Sequence, residues 1–310
     1  MIITLTTNPA LDRTLIVPHF RQADVTRVRQ RHDAAGGKGL NVTRAIRALD
    51  TACLAIAPLG GMTGQQIIQL ARNEQMNVQV VEIYGETRTC LLVTDLETPD
   101  QLVINDQGPM MTESEWQSLR QAVVATCSGS DARWLTISGS LPPSIKPLLL
   151  RQLIDAVPAT CAVALDTSGA PLALCLDAQV GLLKVNAEEL AQATGTTIVT
   201  HDDAVAVARQ VCQHGPKIVA VTLGAHGAIA VTSTEAWYVN APEIRAISPV
   251  GSGDCTLAGM MVALHRGDGL DIALRLGVAC GSANALQPYA AVFDRVVAEQ
   301  FFDQLRAVPL

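Results

Sequence analysis

The sequence predicts an α/β fold built around a mostly parallel sheet. Short β-branched runs alternate with longer helical patterns through most of the 310 residues, which is the rhythm of βαβ units. Apolar residues make up 49% of the chain and charged residues 16%, enough for a sizeable core and against large-scale disorder. The length suits one large α/β domain, read here as 1–310, with a small appendage.

In chain order the expected strands are Ile2–Thr6, Ala52–Pro58, Trp134–Ser138, Ala162–Asp166, Gly181–Val185, Ile218–Thr222 and Ala228–Thr232. Between them helical periodicity is expected near Leu40–Leu49, Gly64–Glu74, Thr112–Cys127, Ile145–Ala156, Ala187–Thr194 and Asp202–His214. The end of the chain turns helical, near Asp254–His265, Leu270–Leu286 and Asp294–Arg306. Two segments break the rhythm, Thr14–Arg31 and Glu86–Ile104. Each reads as strands separated by turns, so a small β-sheet lid is expected from about 13–32 and 86–107. Such a lid expels water from a site whose chemistry suffers from hydrolysis.

No apolar run reaches the roughly 18 residues that span a bilayer, and no basic leader precedes the first strand, so the expected location is the cytoplasm, without a membrane partner. A formal net charge of −7 argues against nucleic acid as a general partner. The eight cysteines are scattered without a CxxC pair and read as buried thiols, neither zinc ligands nor a disulfide framework. Lysine is scarce, at 38, 146, 184 and 217. Two of the four fall in segments marked by glycine or asparagine.

Ser248-Pro249-Val250-Gly251-Ser252-Gly253-Asp254 runs directly into an apolar helical segment. A glycine-rich turn opening a helix aims backbone N–H groups at one point and suits a developing negative charge. The carboxylate of Asp254 beside them suits proton removal from a hydroxyl, so the pair fits transfer of an anionic group onto that hydroxyl. Ala35-Gly36-Gly37-Lys38-Gly39-Leu40-Asn41 is a second such turn. It admits close ligand approach, with Lys38 supplying charge and Asn41 both donors and acceptors, which suits a polyhydroxylated ligand. The alternative is a tight turn with a solvated lysine.

Asp12 follows the first strand, at the carboxyl end where open α/β sheets bind ligands; there it accepts from neighbouring hydroxyls or serves as a turn residue. Arg88 precedes a lid strand and could grip a phosphate bidentately, and Arg27 in the other lid segment could add a second contact; for either, a surface position is the alternative. Ser138 ends a strand at a sharp turn and meets a ligand or caps a helix. Asn186 and Glu189 have capping-box spacing, while with Lys184 they equally suit nucleotide phosphates and the waters around Mg²⁺. Thr222, Gly224 and Gly227 join two strands, as a hairpin or as a loop that holds a nucleoside triphosphate; His226 reads as exposed. Neither GxxxxGK[ST] nor GxGxxG fits, which disfavours a dehydrogenase.

Taken together, these motifs resemble those of the PfkB/ribokinase family of ATP-dependent sugar kinases, in particular its phosphosugar branch. The resemblance runs from Asn8-Pro9-Ala10-Leu11-Asp12 to Gly281-Ser282-Ala283-Asn284. Gly36–Val42 matches the N-terminal signature and Val250–Asp254 the C-terminal one, with Ser252 where alanine is usual. The chain also carries Pro249 for threonine, Val185 for proline, and Leu286–Val292 in place of a glycine-bearing turn.

The resemblance implies a ribokinase-like three-layer fold with a β lid that serves in a homodimer. It implies Asp254 as base and Gly251, Ser252 and Gly253 as the anion hole. Asp12, Gly36, Gly37, Lys38, Asn41 and Ser138 would hold the sugar, and Arg88 its phosphate. Lys184, Asn186, Thr222, Gly224, Gly227 and Ser282 would face ATP, with Glu189 orienting Mg²⁺ through water and a monovalent cation as a further implied ligand. The expected reaction moves the γ-phosphoryl group of ATP to a hydroxyl of fructose 1-phosphate, fructose 6-phosphate or tagatose 6-phosphate. The alternatives are a kinase for an unphosphorylated sugar or nucleoside, and a catalytically weakened ligand-binding regulator on the same fold.

Overall fold

The computed structural model describes residues 1–19, 24–95, 97 and 101–310. The expected lid segments include residues 20–23, 96 and 98–100, which lie outside the described residues.

A ten-stranded sheet runs through the molecule. The first strand, β1 (Ile2–Thr6), lies third from one edge, with β4 (Cys53–Leu59) and β5 (Val78–Glu82) beyond it. On the other side follow β8 (Trp134–Ser138), β9 (Ala162–Asp166), β10 (Leu182–Asn186) and β11 (Ile218–Thr222), all in parallel register. Three antiparallel strands close that edge: β12 (Ala228–Val231), β13 (Ala236–Val239) and β14 (Ala307–Pro309). A second sheet of four strands has the order β3 (Gln30–Gly36), β2 (Ala10–Val17), β6 (Arg88–Asp95), β7 (Gln101–Ile104).

The central strands are buried on both faces, as β1 is at every position, because helices cover the sheet on each side. One layer contains α3 (Glu113–Ser128), α4 (Pro147–Ala156), α5 (Gly169–Cys175), α6 (Ala187–Thr194) and α7 (His201–Cys212), packed around Trp116, Leu119, Leu150 and Leu153. The other contains α1 (Lys38–Ala48), α8 (Ser252–Arg266), α9 (Leu270–Ala285) and α10 (Arg295–Gln304), packed through Ile46, Leu257, Met260 and Leu274. A smaller core around Leu11, Leu40 and Ile67 joins the four-stranded sheet to α2 (Gly61–Asn73).

The layered α/β architecture is the expected one. Sequence reading missed four elements: β5, β13, β14 and α5. β5 and β13 are short and partly exposed, so their apolar pattern is incomplete, and β14 has three residues. Asp12, expected just past the first strand, stands within β2 and pairs with Ala34 and Cys90. Among the described residues no helix is long and apolar enough to cross a membrane. All eight cysteines are free thiols, five buried and three partly buried.

Candidate active site

The topology reverses at β1: the chain leaves toward β4 on one side and later returns to β8 on the other. Open α/β sheets bind ligands in the crevice at the carboxyl ends of such strands. Here that edge carries Thr6, Ser138, Asp166 and Asn186 at the ends of β1, β8, β9 and β10, with the first turns of α1 and α8 nearby.

Gly251 starts α8 in the left-handed region at φ 84°. A Cβ there would lie 2.3 Å from the amide nitrogen of Ala291, so only glycine lets the loop after α9 pack on this turn. The Ser252 N–H donates to the Pro249 carbonyl at 3.1 Å, and Ser252 Oγ accepts from Asn284 Nδ2 at 3.1 Å. The N–H groups of Gly253 and Asp254 have no partner among the described residues. They are the free donors of a helix start, where the dipole also favours anions. Of the anticipated anion-hole residues, Ser252 is therefore bound inward and Gly253 is the open one.

Asp254 is buried and its Oδ2 accepts from Asn41 Nδ2 at 2.9 Å. The buried carboxylate of Asp166 bridges the two lysines of the glycine- and asparagine-marked segments, taking Lys38 Nζ at 2.7 Å and Lys184 Nζ at 2.9 Å. Burial pushes Asp254 up to about 6; Lys38 and Lys184 pull it down, and Asp166 adds to the rise. Asp166 is held down at about 2, because Lys184 and Lys38 outweigh the burial that would raise it. Lys38 lies above the ordinary lysine value: burial acts against its charge, but Asp166 and Asp254 overcome it. The cluster thus joins two lysines and one firmly ionised carboxylate to a second carboxylate poised near neutrality.

On the four-stranded sheet, Asp12 Oδ2 accepts from the Gly37 N–H at 3.3 Å. A Cβ on Gly36 would fall 2.1 Å from Asp12 Cγ, which accounts for glycine at that position. Burial raises the Asp12 carboxyl, against the Gly37 N–H and the Arg44 and Arg88 charges. Arg88 donates Nη1 to the Asp106 carbonyl at 2.6 Å and Nη2 to the Asn8 carbonyl at 2.7 Å. Its Nε, with Thr6 Oγ1, Asn8 Oδ1 and Ser138 Oγ, is buried without a partner among the described residues. Thr6 and Ser138 are paired across β1 and β8, so their two side chains share one face of the sheet.

Asn186, Glu189, Thr222, Gly224 and Gly227 follow one another along the same edge. Asn186 and Glu189 form a complete capping box at 2.7 and 2.9 Å. Thr222 ends β11, Gly224 opens a short 3₁₀ turn, and Gly227 precedes β12. Beside them a cleft of about 360 Å³ is lined by Asn186, Thr200, His201, Thr222, Leu223 and His226. Ser282 lies buried on α9. Arg27 is exposed between β2 and β3, and no hydrogen bond or ion pair among the described residues engages it.

Sequence reading passed over Asp166, Arg44 and Asn284. Asp166 carried a usable signal, a carboxylate ending an expected parallel strand, the same signal that singled out Asp12. Asn284 donates to the Val250 carbonyl and Ser252 Oγ and accepts from the Val292 N–H; nothing local in sequence marks that clasp.

A buried carboxylate held near neutrality, beside open amides and two lysines at the carboxyl edge of a parallel sheet, suits a phosphotransferase. Residues 5–294 match the pfkB family of carbohydrate kinases, and the chain belongs to that family. It is 29% identical over 306 residues to the 1-phosphofructokinase of Bacillus subtilis, covering 98% of this chain and 97% of the relative. It is 34% identical over 290 residues to the ATP-dependent 6-phosphofructokinase isozyme 2 of Escherichia coli, covering 92% of each. The crystal structure of phosphofructokinase-2 from Escherichia coli in complex with fructose-6-phosphate superposes with a TM-score of 0.90 at 31% identity, over 98% of both chains. The fold is ribokinase-like, and the chain is an ATP-dependent phosphotransferase acting on an alcohol group.

Proposed function

We propose that the acceptor is a ketohexose phosphate, fructose 1-phosphate, fructose 6-phosphate or tagatose 6-phosphate, and that a free hydroxyl of it receives the γ-phosphoryl group of ATP. The observation that carries this reading is the junction of Asp254 with Asn41 and with the Lys38–Asp166–Lys184 cluster, which links the two glycine turns. The phosphofructokinase names of the relatives support it.

In this reading Asp254 accepts the proton of the attacking hydroxyl. The Gly253 and Asp254 amides, with Gly251 shaping the turn, receive the charge of the transferring group. Lys38 and Lys184 stand over that position, and Asp166 fixes both ammonium groups so that little reorganisation accompanies transfer. Asp12, Gly36, Gly37, Asn41 and Ser138 hold the sugar. Arg88 is the group that meets its phosphate, with Arg27 as a second cation from the exposed segment.

ATP lies along Lys184, Asn186, Thr222, Gly224, Gly227 and Ser282. Among the described residues no group of three or more His, Cys, Asp or Glu side chains is placed to hold a metal. The residues present fit Mg²⁺ carried on the nucleotide phosphates, an ion that keeps much of its water. Glu189 uses Oε2 for its own helix cap, and its other oxygen is available to such a water. Bound there, Mg²⁺ would supply charge neutralisation on the phosphates; a monovalent cation is a further ligand of this reading.

The four-stranded sheet is assigned as the lid and as the surface of a homodimer. Val25, Val28, Leu102, Val103 and Ile104 are all exposed on it or beside it. The working compartment is the cytoplasm, where ATP and sugar phosphates are at hand. An ATP-dependent screen of the three phosphosugars and their unphosphorylated parents tests the proposal. Preference for a phosphorylated acceptor supports it, and equal or better kcat/KM on an uncharged sugar or nucleoside overturns it.

A further inference from the structure

Arg44 lies one turn beyond Asn41 on α1, and all three of its guanidinium nitrogens are engaged. Nη1 donates to Asn41 Oδ1 at 3.0 Å, and Nη2 donates to the Ala35 carbonyl at 2.6 Å. Nε and Nη2 donate to the Glu74 carboxylate at 2.5 and 3.2 Å. Glu74 sits at the end of α2. Asn41 in turn donates Nδ2 to Asp254 Oδ2. A continuous path therefore leads from Glu74 through Arg44 and Asn41 to Asp254.

An amide has one accepting end and one donating end, whereas a guanidinium only donates. The face of Asn41 toward Arg44 must be its oxygen, so its NH₂ must face Asp254. In that orientation the NH₂ stabilises the ionised carboxylate, the form able to take a proton, and occupies one of its oxygens. With the amide reversed, an oxygen would face the carboxylate and only the protonated acid would be satisfied.

We propose that Arg44, braced by Glu74, is a positioning residue for phosphoryl transfer: it sets the Asn41 amide so that it donates to Asp254. Its bond to the Ala35 carbonyl ties this orientation to the turn that opens α1. The inference rests on Asp254 as the base. The other groups acting on Asp254 are Lys38 from α1, Asp166 from β9 and Lys184 from β10, with the Cys255 thiol beside it on α8. All of them remain in the variants below.

The test is the pH dependence of kcat and KM for Arg44→Lys, Glu74→Gln, Asn41→Ala and the double variant Arg44→Lys/Asn41→Ala, with Asp254→Asn alongside. Arg44→Lys keeps a cation but loses the fork. It should lower kcat about tenfold, change either KM less than about threefold, and move the acid limb of kcat to higher pH. Added to Asn41→Ala it should cost nothing further, because it acts through Asn41. Glu74→Gln, which keeps a neutral acceptor, should move kcat and the acid limb the same way by about threefold; it decides the matter if Arg44→Lys does not fold. Parental kcat and acid limb, or additive losses in the double variant, overturn the proposal. Turnover near the parent's in Asp254→Asn instead removes the base itself. An inactive Asp254→Asn with parental Arg44 variants leaves the base standing and removes Arg44.

Discussion

Asp166 and Lys184 stand on neighbouring parallel strands with a carboxylate oxygen 2.9 Å from the ammonium nitrogen, and both side chains are almost wholly enclosed. Such a pair is costly to desolvate and is seldom retained for stability alone. Here its second oxygen takes Lys38 at 2.7 Å, so one anion fixes two cations arriving from different elements.

Asp166→Asn leaves two lysines beside each other without their counter-ion. The expected loss of stability is about 3–5 kcal/mol, read by denaturant unfolding at neutral pH. Because the Asp166 carboxyl is held at about 2, its contribution is present above the ordinary carboxylate value and fades as pH falls toward 2. Parent and variant should therefore converge in acid. A constant difference down to that range would show that the pair is not the source.

Asp254→Asn should lower kcat by about 10²–10⁴-fold while sugar-phosphate binding, followed by calorimetry, stays near the parent's. The same change should stabilise the fold at neutral pH. Burial holds Asp254 up to about 6, so ionising it in the folded protein is unfavourable, and that penalty grows as pH rises through 6. The midpoint of thermal unfolding should be higher than the parent's at neutral pH, and the gap should close below the ordinary aspartate value. A variant less stable at neutral pH would contradict the assigned environment.

The acid limb of kcat/KM should fall near pH 6, since only the ionised carboxylate accepts a proton. Removing Lys38 charge by Lys38→Met should move that limb upward, because Lys38 is the leading influence that lowers Asp254. A downward or absent shift, measured on residual activity across pH, would detach Lys38 from the base.

Arg88→Ala should raise KM for the phosphosugar by tenfold or more, on the order of a lost charge-assisted bidentate contact, with KM for ATP changed little. Equal effects on both substrates would place Arg88 in the frame of the loop, through its bonds to the Asn8 and Asp106 carbonyls, and not at the phosphate.

The parallel strands were legible in sequence because buried β-branched runs such as Ile218–Thr222 announce themselves, and the helix starts because Gly36–Gly39 and Gly251–Gly253 punctuate them. The site was legible where a single segment carries both the turn and the charge, as at Lys38 or Asp254. It was not legible where the geometry lies in a pairing between distant segments. Asn41 meets Asp254 across 213 positions and Asp166 meets Lys38 across 128, and neither the packing of α1 on α8 nor the approach of the α1 start to the end of β9 has a local mark. Arg44 fails for a further reason: on a helix, an arginine near a glutamate of another element looks in sequence like any surface cation.

Tyr289 offers the last test, because it belongs to the loop after α9 that departs from the usual glycine-bearing turn. Its ring lies 4.3 Å from that of His32 on β3, and its hydroxyl accepts from Gln30 Nε2 at 2.9 Å. Two residues on, Ala291 at φ 55° packs on Gly251. On the opposite flank Gln101 of β7 donates to the Ile247 carbonyl and accepts from Ser248 Oγ, each at 3.2 Å. The four-stranded sheet is therefore bonded to both segments that frame the start of α8. Tyr289→Ala removes the ring contact, worth about 0.5–1.5 kcal/mol beyond its buried area, and should raise KM for ATP about three- to tenfold with a smaller effect on the phosphosugar. Tyr289→Phe loses only the hydrogen bond and should stay within about twofold of the parent. Steady-state kinetics with each substrate varied in turn separates the outcomes: equal losses in both variants would assign the effect to the bond with Gln30, and parental values for Tyr289→Ala would detach the ring contact from the turn that opens α8.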